Sequence, residues 1–180
     1  KNFIRRQALA LYNTAINPQT GLVRPDIGYS SIKDLAVRKS SCYDNCMIAL
    51  LARELKKLKI STPFSRFNYT ELLTRHFWNG EYFYDDLQRK EYVAGDANLF
   101  PLILGIIRDK EITAKAIKTI EQEGLTDPLP LCYTTSRKDI KFIPEEILLR
   151  NYESTSAWTH MGLLYVKLLQ NIHHSLAAKY

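Results

Sequence analysis

Residues 76–107 read HFWNGEYFYDDLQRKEYVAGDANLFPLILGII. This stretch decides the fold. An aromatic helix end, Phe77-Trp78, runs into a turn at Asn79-Gly80. Glu81–Asp85 alternates aromatic and polar residues, and with Lys90–Val93 it predicts a small β-hairpin. An apolar helix over 97–108 follows, with Pro101 in its first turn. Tyr82, Phe83, Tyr84, Tyr92 and Phe100 crowd among Asp85, Asp86, Asp96 and Asn98. Aromatic faces beside carboxylates and an amide suit a polar ligand with apolar faces, such as a sugar. They equally suit a packed corner, because buried aromatics are usually core.

Outward from this corner the chain reads as helices. Residues 2–16 carry Phe3, Ile4, Ala8, Leu11 and Tyr12 at helical spacing and stop at Asn17-Pro18. A long loop over 18–41 follows, and long ordered loops are often functional. Helices over 44–59 and 64–77 lead into the corner. Beyond it, a helix over Thr113–Glu123 ends at Gly124, Leu125–Leu131 is extended, 132–143 is irregular, Pro144 opens a short helical turn, and Ser154–Lys179 reads as one long helix. The expectation is an all-α single domain spanning 1–180, built of stacked helical hairpins with one small β-hairpin.

Composition narrows the function classes. Of 180 residues, 46% are hydrophobic and 24% charged, as in ordinary globular proteins. The net charge of +6 permits a nucleic-acid partner, but the basic residues are scattered and no nucleic-acid motif is present, so solvated helix faces explain it. Neither nucleic acid nor membrane is an expected partner. The three cysteines form neither a redox motif nor a zinc spacing; Cys42 and Cys46 share a helix face and Cys132 is remote. They read as small buried hydrophobes in a cytoplasmic protein. His76 and His160 read as structural, no metal is expected, and no serine has a hydrolase-triad setting.

The order of segments adds a resemblance. TGLVRPDIGYSSIKD, SSCYDNCMIALLARELKKL, HFWNGEYFYDDL with GDANLFPLILGII, and NYESTSAWTHMGLLYVKLL resemble the catalytic domain of the six-hairpin (α/α-toroid) glycosidases. Within these the debranching-type amylo-α-1,6-glucosidase domains look nearest, with glucoamylases and trehalases beside them. The likeness covers about residues 20–170. It implies about half of an α/α toroid. The chain, which begins at Lys1 without a methionine, would then be a fragment or would pair with a second copy or the missing half.

What the resemblance implies for function is acid/base hydrolysis of α-glucosidic linkages in an oligosaccharide or polysaccharide, with inversion and no cofactor. Two carboxyl groups about 6.5–9.5 Å apart would flank a water. Asp34 stands where the family carries an acid in a Trp-Met-Asp setting; here Ser31-Ile32-Lys33 precedes it, and Lys33 would lower its pKa. Asp44 lies near a family Glu-x-Asn on the next helix, and is also a helix cap by position. The family's general base lies beyond the Trp-bearing helix, past Tyr180; Glu153 is the option within the chain. Substrate contacts fall on Trp78, Asn79, Tyr82, Asp96, Asn98, Tyr152, Glu153 and Trp158. Trp78 and Tyr82 read as a sugar platform or core, Asp96 with Asn98 as a helix cap or sugar contact, and Asp85-Asp86 as a solvated turn or a ligand or calcium contact. A non-catalytic carbohydrate-binding half-toroid and a helical protein-interaction domain are the competing readings.

Overall fold

A computed structural model describes residues 1–27, 32–33, 38–135, 148 and 151–180. It is all-α: α1 (Asn2–Ala15), α2 (Cys42–Lys57), α3 (Tyr69–Phe77), α4 (Gly95–Ile103), α5 (Lys110–Gln122) and α6 (Thr159–Asn171), with short 3-10 turns at Pro63–Arg66 and Ser175–Ala178. The predicted turn at Pro144 lies outside the described residues.

Local chemistry sets the helix ends. The Ser41 hydroxyl caps α2 by accepting the Asp44 amide, the Asn68 side chain caps α3, and the Asp109 carboxylate takes the Glu111 and Ile112 amides at the start of α5. Lys56 and Lys57 stand in the last turn of α2, where cations complement the helix dipole. Gly124, at φ +70°, ends α5 as its position after the apolar run predicts. The final helix is shorter than expected. Ala157 bridges Cys132 and Trp158 is extended, and His173 (φ 52°) takes a left-handed conformation, so only Thr159–Asn171 is α-helical.

α4 is the centre of the molecule. All of its residues from Gly95 to Leu102 are buried, including Asp96 and Asn98. It begins two residues earlier than predicted, which moves Pro101 from the first turn to the second. Proline there has no amide for the Ala97 carbonyl. The Cys42 thiol supplies a donor in its place, 3.7 Å away. The cap expected from Asp96 and Asn98 does not form: the N-cap residue is Ala94, with no side-chain cap bond.

α2 and α6 pack on α4. α2 runs parallel to α4: Cys42 meets Ala97 near their starts, and Arg53 Nη1 donates to the Leu104 carbonyl near their ends at 2.6 Å. α6 also runs parallel to α4. The segment 130–133 lies against the first turns of both, so close that a Cβ on Gly95 would meet the Cys132 carbonyl at 2.2 Å and one on Gly162 the Pro130 carbonyl at 2.3 Å. α1, α3 and α5 return in the opposite sense. Arg5, early in α1, reaches the Ser61 carbonyl beyond the end of α2, and Thr70, early in α3, reaches the Ile106 carbonyl beyond the end of α4. The starts of α2, α4 and α6 therefore share one end of the molecule.

Two apolar clusters hold this arrangement. The larger includes Leu73, Phe77, Phe83, Leu99, Ile117, Leu131 and Tyr165; the smaller joins α1 to α2 through Tyr12, Ile16, Ile48 and Phe64. At the shared end the loops are tied by isolated β-bridges: Ser41 with Asp86, Trp78 with Phe83, Ala94 with Thr134, and Cys132 with Ala157. The Thr134 amide also donates to the Ser154 carbonyl at 3.0 Å. The predicted hairpin between Glu81–Asp85 and Lys90–Val93 is thus corrected. Among the described residues there is no sheet, and the backbones of the two runs do not pair with each other: Phe83 and Tyr84 bond back to the end of α3, the Asp85 carbonyl accepts the Cys42 amide, and the Val93 carbonyl accepts the Thr135 amide. No helix among them is long and apolar enough to cross a membrane.

Candidate functional site

The chemistry collects at the shared end. Asp96, in the first turn of α4, and Asp85, in the loop before it, are buried. A carboxylate so placed gains from the helix dipole, but burial still demands counter-charge. Lys33 and Arg38 supply it. Lys33 Nζ lies 3.1 Å from Asp96 Oδ1 and 3.7 Å from Asp85 Oδ1. Arg38 Nη1 donates to Asp96 Oδ2 at 3.0 Å and to Asp85 Oδ1 at 3.4 Å. The four side chains are at most 4% exposed.

Neighbouring groups position this quartet. The Tyr92 hydroxyl donates to Asp85 Oδ2 at 2.8 Å. Tyr133 donates its hydroxyl to the Ile32 carbonyl at 2.9 Å, and its ring lies 5.4 Å from Lys33 Nζ, which pins the lysine from two sides. Burial pushes the Asp85 carboxyl up, but the charges of Lys33 and Arg38 and the Tyr92 bond prevail and hold it below the usual carboxylate value. Burial would lower the Arg38 guanidinium; Asp85, Asp96 and Asp44 outweigh it and hold it above its ordinary value. Burial, then the nearby Asp96 and Glu153, push the Tyr133 hydroxyl up.

Asp44 is fully buried, and its Oδ2 accepts the Ser41 hydroxyl at 2.6 Å. Asn98 acts as a backbone clamp. Its Oδ1 accepts the Phe83 amide at 2.7 Å, and its Nδ2 donates to the Phe83 and Ala94 carbonyls at 3.1 and 2.9 Å. Asn45 does the same across the loop after α1, accepting the Val23 amide at 2.9 Å. Trp158, half-buried, donates Nε1 to the Tyr152 carbonyl at 3.0 Å, and its ring lies 4.9 Å from Tyr152 and 5.1 Å from Tyr133. Glu153 is buried beside them.

The predicted residues thus separate into two groups. Asp44, Asp96, Tyr152, Glu153 and Trp158 gather around Lys33, Arg38 and Tyr133. Trp78, Asn79 and Tyr82 form the turn after α3: Trp78 packs on Phe83 at 4.8 Å, and Asn79 Oδ1 accepts the Glu81 and Tyr82 amides at 2.9 and 2.8 Å. Asn98 joins the groups through Phe83. Asp34 lies outside the described residues. Asp85 and Asp86 are not the solvated turn that their sequence setting allows. Both are buried, and Asp86 Oδ2 accepts the Lys39 amide at 2.6 Å, fixing the loop that carries Arg38. Among the described residues no three His, Cys, Asp or Glu side chains stand together as metal ligands. Cys42, Cys46 and Cys132 are free thiols, all buried; burial first, then Cys46, push the Cys42 thiol up.

Lys33, Arg38, Tyr92 and Tyr133 are the members that sequence reading did not single out. The available signal was Asp96. A carboxylate inside the apolar run VAGDANLFPLI must be buried with its helix, and a buried carboxylate requires a cation from elsewhere in the chain.

No protein-family model matches this chain, and no curated protein matches it.

Proposed function

We propose that the chain is part of a carbohydrate-active domain of the six-hairpin, α/α-toroid kind, acting on α-glucosidic linkages by inverting hydrolysis. One observation carries the reading. Three parallel helices, α2, α4 and α6, start at the same end, and the described carboxylates and aromatics singled out from sequence lie in or beside the loops at that end. Alternate helices starting together, with returning helices between them, is the unit from which an α/α toroid is built. Loops gathered on one end of a rigid helical scaffold are where such scaffolds carry chemistry.

In this reading Asp85, Asp96, Lys33 and Arg38 are the foundation of the site. Asp34, next in the chain after the anchored Lys33, donates the proton to the leaving oxygen. The Tyr152–Trp158 group offers the aromatic wall, and the general base comes from beyond these residues. The free thiols support a reducing, cytoplasmic setting.

A second reading, a non-catalytic carbohydrate-binding half-toroid, is favoured by a different observation. The Asp44 and Asp96 carboxylates are buried and engaged by Ser41, Lys33 and Arg38. A general acid needs an accessible proton and a raised pKa. The decisive experiment presents the full-length protein with maltose, isomaltose, trehalose and limit dextrin and follows the anomeric protons by NMR. Turnover giving β-glucose first, abolished by Asp34→Asn, supports hydrolysis. Saturable sugar binding without turnover supports the second reading, and neither binding nor turnover sinks both.

A further inference from the structure

The opposite end of α4 and α6 carries a feature that the carbohydrate reading does not use. A cavity of about 550 Å³ opens between the ends of these helices and the start of α5. This size is within the roughly 300–1,000 Å³ of small-molecule sites. Buried Leu102, Ile107 and Leu168 form its walls. Arg108, Lys110 and His174 line it as well, and no aspartate or glutamate does.

The arginine is placed, not merely present. Arg108 Nε donates to the Gly105 carbonyl at 3.1 Å, which fixes the guanidinium at the cavity while its outer nitrogens remain available. The neighbouring acids are engaged elsewhere. Asp109 accepts two amides as the α5 cap and lines the adjoining cavity, and Glu111 pairs with Lys115 at 2.8 Å. His174 Nδ1 accepts the Leu176 amide, which turns Nε2 away from that bond.

We infer that this cavity is a binding site for an amphiphilic monoanion, an aliphatic carboxylate whose chain lies on Leu102, Ile107 and Leu168 and whose head group meets Arg108 and Lys110. An apolar wall with an acid-free cationic side matches that chemistry. A neutral sugar would press its hydroxyls against a wall that cannot bond them, and inorganic phosphate would not fill the space. The site is separate from the carbohydrate end, so its failure leaves that reading untouched.

The test is isothermal titration calorimetry with sodium decanoate, below its micelle concentration, and with decanol. Saturable decanoate binding, with decanol roughly tenfold weaker, is expected. Arg108→Gln and Lys110→Gln, both at exposed positions, should each weaken decanoate by roughly threefold to tenfold. Ala114→Phe, which fills the exposed mouth without changing charge, should abolish binding. Far-UV circular dichroism checks that each variant is folded. No saturable decanoate binding, equal affinity for decanol, or indifference to both charge variants would overturn the assignment.

Discussion

Replacing Arg38 by methionine removes one of two cations from a buried four-charge cluster and leaves Asp85 and Asp96 to share Lys33. Arg38 Nη1 stands 3.0 and 3.4 Å from the two carboxylates. At an effective dielectric constant of about 20, each such contact is worth about 5 kcal/mol in gross attraction. Desolvation already offsets much of this, so the loss from breaking the cluster is the cost of an uncompensated buried charge, about 3–5 kcal/mol. With a urea dependence of about 2 kcal/mol per molar, the unfolding midpoint falls by about 2 M. The paired variant Arg38→Met/Asp96→Leu removes one charge of each sign and leaves Lys33 with Asp85, 3.7 Å apart. It should be less destabilised than Arg38→Met alone, because removing a pair costs less than orphaning one member. Urea titration followed at 222 nm measures both. A loss below about 1 kcal/mol for Arg38→Met, or a double variant at the sum of the two single losses, refutes the view that these four charges act as one unit.

Three further outcomes follow from other parts of the molecule. Asn98→Ala leaves the buried Phe83 amide and carbonyl without their clamp and should cost about 3 kcal/mol in the same titration, with Asn98→Asp no better because its second oxygen would face two carbonyls. Gly162→Ala forces a methyl group to 2.3 Å from the Pro130 carbonyl and should cost about 1–3 kcal/mol, although alanine is the better helix former, so an unchanged melting temperature would contradict the close approach. Asp85 has a folded pKa below its unfolded value of about 3.9, so its contribution is fully present above that pH and is lost as pH falls through the folded value. Stability measured from pH 7 down to pH 3 should therefore fall less steeply in Asp85→Asn than in the native chain.

The helices were legible because their signals are local. Apolar residues at helical spacing and Gly124 act within a turn or two of where they stand. The hairpin was misread because alternation in Glu81–Asp85 states which faces the side chains take and says nothing about which backbone completes the ladder. The end of α3, through Phe77 and Trp78, and the distant Cys42 and Thr135 decide that. The site was half legible for the same reason. Asp96, Asn98 and Trp158 stand out by type, whereas Lys33 and Arg38 look like ordinary surface charges until Asp96 is known to be buried. Treating the basic residues as solvated faces holds for Lys57 and Lys115 and fails for these two.

The tie between Thr134 and Ser154 has a consequence for how such a molecule can diversify. The bond joins Thr134 to Ser154 at the foot of α6, and the bridge between Ala94 and Thr134 carries the tie on to the start of α4, so the first turns of the two helices are linked through the backbone. Side chains along this tie can therefore be exchanged without removing the bonds that make it, because backbone groups alone supply them.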